Sequence, residues 1–291
     1  MRLESMKLRV DSELRLAIER MGDKGDLRDA CEYALLSGGK RLRPLLVLMT
    51  ANAIGDLDPI PSALSVEYFH TASLIADDLP CMDDDSFRRG RASLHKAFGE
   101  SVAILASYTL IAGGYGGIYE NAEWLKRDPR YASSADARAV LCLEAATRCA
   151  GIRGATQGQY LDLHPPDASL ETIREIIYKK TVTLFEISFV FGWLFGGGDP
   201  SRLESVRKCA YHLGMAFQTA DDLLDDMQDA ARSSPINIAA ACGRDRAMSI
   251  FEEEADSFAA LLKDLGLYDE LFQEVVAWLW DYAPGSKKAI R

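Results

Sequence analysis

An all-α fold, one large helical bundle of ten or so helices, is the class that three observations predict. Apolar residues recur at helical spacing along most of the 291 residues. No stretch sustains the period of two that a half-buried strand needs, and proline is sparse outside turns. With no internal repeat and no low-complexity linker, residues 1–291 read as a single domain, long enough to bury a large core.

Residues 5–20 carry apolar positions at helical spacing and stop before the loop MGDKGD. Asp26 is a natural N-cap for a second helix through Ala30, Tyr33, Ala34 and Leu36. Gly38 and Gly39 end it, and Pro44 falls in the first turn of the third, where its missing N–H costs little. Lys40, Arg41 and Arg43 therefore lie at a helix N-terminus, beside backbone donors that suit an anion. Residues 62–76 form the next helix, stopped by Pro80. An apolar helix follows to about Tyr119, then the polar loop KRDPRYASSAD and a helix at 138–150 that GIRGATQGQYLDL continues, with Gln157, Gln159 and Asp162 on it. Residues 169–196 read as one long helix with Lys179, Lys180 and Thr181 in its middle. Another spans 202–230, and two more reach Trp280.

Composition narrows the function. Hydrophobic residues at 48% and charged residues at 26% are those of an ordinary globular protein. A formal charge of −11 and the lack of a basic stripe exclude nonspecific nucleic-acid binding. A phosphorylated substrate would need metal ions and local Arg or Lys to draw it in. Six scattered cysteines without a C-x-x-C pair, and no visible signal peptide, read as reduced thiols in a cytoplasmic protein. Four histidines form no ligand pattern, so no zinc site is expected. Val102–Tyr119, with four glycines, and Leu184–Phe195, which holds Glu186, read as buried bundle helices rather than membrane spans.

The chemistry concentrates in two acidic groups. Asp77, Asp78, Asp83, Asp84 and Asp85 fall within IADDLPCMDDDSFRRGR, followed at once by Arg88, Arg89 and Arg91. A run of like charges repels itself, and Mg²⁺ relieves it, because that ion takes one or two carboxylates and fills its other positions with water and phosphate oxygens. The arginine forks match the same phosphate. Asp77 and Asp78 also end a helix, where the dipole disfavours carboxylates, and local rules are most often broken at functional sites. Asp221, Asp222 and Asp225 form the second group, with Asp221 and Asp225 on one helical face among apolar neighbours. A lone acidic run is usually a solvated face. Two such groups with apolar flanks, one followed by paired arginines, point instead to several Mg²⁺ ions held on one diphosphate. His70 lies two turns before Asp77 on the same face.

GGKRLRP, HTASLIADDLPCMDDDSFRRG, GQYLD, KKT and FQTADDLLDD, in this order, resemble the trans-isoprenyl diphosphate synthases of the short-chain bacterial and plastid type. The resemblance covers residues 25–282, and the two aspartate motifs are highly specific as a pair. It implies a helical bundle around a central cavity, of the isoprenoid synthase type, that condenses isopentenyl diphosphate with dimethylallyl, geranyl or farnesyl diphosphate. By position, Asp77, Asp83 and Asp221 would ligate Mg²⁺, with Asp78, Asp222 and Asp225 supporting through water or as further ligands. Lys40, Arg43, His70 and Arg89 match the isopentenyl diphosphate site, Arg88 and Lys180 the allylic diphosphate contacts. Thr181 and Gln218 match groups whose oxygens face the developing cation. A homodimer is implied too.

Product length is read from Ala72, five residues before Asp77, where farnesyl diphosphate synthases of this type often carry an aromatic wall. A small residue deepens the cavity and makes Phe69 its floor, which predicts geranylgeranyl diphosphate, with farnesyl diphosphate as the alternative product. The chain departs from the family at Ala76, where most relatives carry His, and at Ser107-Tyr108 in place of Gly-Asp. It also lacks the lysine that relatives carry after the second motif, for which Arg232 and Arg244 are the candidate replacements. That loss keeps open a weakly active or non-catalytic subunit of a heteromeric synthase. The basic tail Lys287–Arg291 is a candidate flap over the diphosphates. A terpene cyclase would have no use for the isopentenyl site, and a purely structural helical protein would gain no stability from Mg²⁺ and diphosphate.

Overall fold

The computed structural model describes residues 2–228 and 236–284. Among these the chain is helical apart from one small hairpin. The helices are α1 (Arg2–Glu19), α2 (Asp26–Leu35), α3 (Leu42–Ile54), α4 (Ile60–Asp77), α5 (Leu94–Phe98), α6 (Glu100–Leu125), α7 (Ala135–Ala150), α8 (Ala155–Leu163), α9 (Leu170–Ile177), α10 (Thr183–Phe195), α11 (Leu203–Gln228), α12 (Ile238–Cys242), α13 (Arg244–Asp264) and α14 (Glu270–Tyr282). The hairpin, β1 (Phe87–Arg88) and β2 (Arg91–Ala92), pairs Phe87 with Ala92 and Arg88 with Arg91.

Local chemistry explains several helix starts. The side chains of Ser169, Asn237 and Asp269 accept the N–H of Thr172, Ala240 and Phe272, and so cap α9, α12 and α14. Asp26, expected as a cap, is instead the first helical residue of α2, with Gly25 before it. The helix at 138–150 begins earlier, at Ala135, and does not run on, because the chain turns at Gly151–Gly154 before α8. Three helices rather than two follow the second acidic helix, the short α12 being the one not foreseen. Residues 169–196 are helical as read, but a single π turn, Tyr178–Val182, separates α9 from α10. Such turns recur at functional positions because they redirect the side chains they carry.

The described residues fall into two compact units, Met1–Ala146 with Phe191–Gly198, and Thr147–Val190 with Asp199–Arg291. In the first, α6 packs along α4, and α1 and α3 also pack on α4. Glycines permit the close approach. A Cβ at Gly117 would stand 2.1 Å from Ser65 Oγ, and one at Gly114 would stand 2.6 Å from the Phe69 ring. Leu46, Leu48, Val66 and Leu110 are buried there, each contributing roughly 1.5–3 kcal/mol. By length and composition α6 could cross a membrane. The expectation that it is buried holds for one face only, since Ile104, Leu105, Tyr108 and Ile111 are exposed.

The second unit packs α11 on α13 around Phe185, Phe189, Phe251, Phe258 and Phe272. Glu186, the one carboxylate in the apolar helix α10, is buried and ion-paired with Arg148 and with Arg207, the latter at 3.2 Å. A buried charge persists only when paired in this way.

Candidate active site

In the first unit, Asp77 is the last residue of α4, and Asp78 caps it. The chain then curls back. Asp83 N–H donates to the Asp77 carbonyl at 2.9 Å and Asp84 N–H to the Leu79 carbonyl at 3.1 Å, with Asp84 left-handed at φ 51°. This brings Asp83 beside Asp77. Asp78 turns inward instead: it is buried, and Arg88 grips its Oδ1 through Nε at 2.9 Å while also reaching Asp85 at 2.7 Å. Burial raises the Asp78 pKa, and Arg88 opposes the rise.

The hairpin aims the arginines. Its two central residues, Arg89 at φ 54° and Gly90 at φ 76°, both adopt the positive φ that a tight two-residue turn requires. Arg89 donates to the Gly38 carbonyl, and its guanidinium lies where a Cβ on Gly39 would stand, 2.7 Å from its Cζ. The double glycine before Lys40 is therefore the seat for Arg89. Arg43 lies 3.4 Å from His70 Nε2. Burial first, then the charges of Arg43, Arg89, Arg41 and Arg88, lower the His70 pKa well below the usual histidine value. Lys40 is exposed in the turn before α3. The sequence-predicted residues Arg43, His70, Arg88 and Arg89 are thus brought together.

Ala72 is buried, and its carbonyl accepts from Ser107 Oγ at 3.2 Å. Phe69 packs on Gly114 and meets Tyr115 edge-on, with ring centroids 5.2 Å apart. Tyr115 was not legible as part of this contact.

In the second unit one chain of hydrogen bonds links three expected residues. Thr181 Oγ1 donates to Gln218 Oε1 at 3.1 Å, and Gln218 Nε2 donates to Asp222 Oδ1 at 3.0 Å. Asp222 Oδ2 also accepts the Ile238 N–H at 2.7 Å. Asp222 is buried, and its pKa is pushed up to about 6, chiefly by burial, with the charges of Asp221 and Asp225 adding to it. Tyr282 donates to Asp221 Oδ1 at 2.5 Å, and Asp225 is exposed. Lys180, on the π turn, is ion-paired with Asp162 of α8. The two segments touch backbone to backbone, for a Cβ on Gly158 would stand 2.4 Å from Lys180 N.

Asp78 and Asp222, expected among the metal carboxylates, are the two that turn inward, onto Arg88 and onto the Gln218 amide and Ile238 N–H. Arg244, a candidate for the absent lysine, donates to the Leu223 and Pro284 carbonyls at 3.3 and 3.1 Å and braces the backbone. Arg232 and the tail Lys287–Arg291 lie outside the described residues. Asn237 and Tyr282 escaped sequence reasoning, although Asn237 carried a capping signal.

The donor set suits a hard cation, since every candidate ligand is a carboxylate oxygen. Among the described residues no three His, Cys, Asp or Glu side chains gather closely enough to hold an ion unaided. Magnesium suits carboxylate oxygens of this kind, because it takes one or two of them and completes its shell with substrate phosphates and water.

A family model described as polyprenyl synthetase matches residues 24–235. A farnesyl diphosphate synthase of Geobacillus stearothermophilus is 39% identical over 229 residues, covering 77% of this chain and 74% of that protein. A heterodimeric geranylgeranyl pyrophosphate synthase large subunit 2 of Arabidopsis thaliana is 36% identical over 213 residues, 71% of this chain. The chain spans only 54% of that plant protein's length. The crystal structure of a geranyltransferase from Legionella pneumophila matches with a TM-score of 0.83 at 28% identity, over 95% of each chain.

Proposed function

The chain belongs to the polyprenyl synthetase family, and from that membership we propose that it is a magnesium-dependent trans-prenyltransferase that extends allylic diphosphates with isopentenyl diphosphate. The observation that carries this reading is the pairing, within one unit, of Asp77 and Asp83 with Arg43 beside His70 and Arg89 seated on Gly38 and Gly39. Carboxylates and guanidinium groups held side by side suit a metal diphosphate, in which the carboxylates take the metal and the arginines take the phosphate.

In this reading Lys40, Arg43, His70 and Arg89 hold isopentenyl diphosphate, while Arg88 and Lys180 hold the allylic diphosphate. Asp77, Asp83 and Asp221 are the metal carboxylates, Asp225 adds a further one, and Asp78 and Asp222 orient their neighbours. Magnesium, when bound, supplies neutralisation of the leaving diphosphate. The C1–O bond of the allylic substrate breaks with its electrons leaving on diphosphate. The isopentenyl double bond then forms the new C–C bond, and the proton it loses goes to the released diphosphate. Thr181 and Gln218 present oxygens to the developing positive charge, an electrostatic role that a water-poor site strengthens. The two units act as one enzyme domain.

The finer features follow the same reading. The small side chain of Ala72 favours the twenty-carbon product, geranylgeranyl diphosphate. The exposed face of α6, with Ile104, Leu105, Tyr108 and Ile111, suits a second copy of the chain, as does its neighbour α7 with Val140 and Leu143 exposed. Six free cysteines fit a cytoplasmic setting.

The test is incubation with Mg²⁺, labelled isopentenyl diphosphate and, separately, dimethylallyl, geranyl and farnesyl diphosphates, with products resolved by length. A twenty-carbon product is expected. A fifteen-carbon stop would keep the enzyme and remove the Ala72 argument. No product with any starter would favour the partner-subunit reading.

A further inference from the structure

Between Lys40 and Arg43, the side chain of Arg41 does not join the anion site. It runs the other way, into the protein, and is 4% exposed. Its backbone is left-handed, φ 53°. A residue with a Cβ persists in that conformation only when its surroundings over-determine it. Here they do, because Nε donates to Asp11 of α1 at 2.8 Å, one terminal nitrogen to Glu67 of α4 at 2.5 Å, and the other to the Leu35 carbonyl at the end of α2 at 2.6 Å.

Glu67 is 1% exposed and stands one helical turn before His70. Its charge is felt beyond Arg41, for it attracts the Arg89 guanidinium, which Arg41 and Arg88 repel. Four guanidinium groups act on one half-buried imidazole at this point. Such a gathering of like charge is unfavourable unless a fixed anion offsets it. Glu67 is that anion, and Arg41 is the strut that ties it to the turn carrying Lys40 and Arg43.

We infer that the Arg41–Glu67 pair, braced by Asp11, is a positioning device for the isopentenyl diphosphate site: it fixes the direction of the turn that carries Lys40 and Arg43. The inference rests on the functional reading above. A pair that only held the core together would affect every substrate alike.

The test is Glu67→Gln, which keeps shape and one hydrogen-bond acceptor while removing the charge. The expected result is a KM for isopentenyl diphosphate raised roughly ten- to hundredfold, with the KM for the allylic diphosphate within about twofold, and a smaller rise in melting temperature on adding inorganic diphosphate without metal. Equal changes in both KM values, or none, would overturn the inference. Should Glu67→Gln fail to fold, Asp11→Asn takes its place. Asp11 is only partly buried, and the same selective rise is expected, while a non-selective change overturns the inference. A wild-type chain that makes no product defeats the functional reading instead. The inference then stands or falls on whether Glu67→Gln weakens stabilisation by inorganic diphosphate.

Discussion

The two acidic regions solve the same electrostatic problem in opposite ways. At the end of α4 the inward carboxylate, Asp78, is neutralised by a cation of its own unit, Arg88, which the hairpin delivers ten residues later. On α11 the inward carboxylate, Asp222, is held by neutral donors, the Gln218 amide and the Ile238 N–H. Neutral donors offset burial less well than a guanidinium, which is why the Asp222 pKa rises to about 6. In the first region the inward carboxylate has a cationic partner before any ligand arrives. In the second it has none among its hydrogen-bond donors, so an arriving metal ion should stabilise the second more.

The largest expected effect is common to both regions. Chelation with EDTA should take product formation to background, and added Mg²⁺ should restore it. Turnover that survives chelation would break the comparison at its root.

Arg88→Ala and Gln218→Ala separate the two solutions. The first leaves a buried charge without its cation and should cost roughly 2–3 kcal/mol, a figure lowered because Arg88 is about one-third exposed. The second removes one neutral donor and should cost about 1 kcal/mol. Denaturant melts of the two variants check the order, and the reverse order would contradict the account.

Acidity sharpens the contrast. Asp222 has a folded pKa above its unfolded value, so between about 4 and 6 the folded chain binds the extra proton. Its contribution to stability therefore falls as pH rises through that window, by roughly 2–3 kcal/mol in the metal-free protein. Asp222→Asn should remove this component and raise the metal-free melting temperature at pH 7.5, while Mg²⁺ should raise that of the variant less than that of the wild type. A variant that melts lower without metal would count against neutral donors as the weaker solution.

The smallest effect concerns only the helix of the first region. Ala72→Phe should shorten the product by one isoprene unit with turnover kept within about tenfold. Unchanged product lengths would remove Ala72 as the wall.

Much of this was legible in the chain because it rests on local rules. Helical periodicity gave α4 and α11, and the resemblance of the motifs singled out Asp77, Asp83, Asp221, His70 and Arg89 as candidates. The π turn was not legible, since the apolar residues on either side of Lys179, Lys180 and Thr181 read as one continuous helix. Nor was the inward turn of Asp78 and Asp222, because adjacent aspartates look alike until packing sends one inside. Arg41 and Glu67 were hidden for a further reason. An arginine among basic residues reads as one more anion ligand, and its pairing with residues 30 and 26 positions away is set by tertiary structure alone.

The measurement that tests the central claim most directly is a mutant cycle on product formation, comparing Asp77→Asn, Asp221→Asn and the double variant under saturating Mg²⁺. If both aspartates serve one metal-dependent step, each single variant should lose roughly 10²–10³-fold in kcat. The double variant should then lose little more, as residues acting as a unit do. Losses that multiply, or a single variant with full activity, would contradict the account.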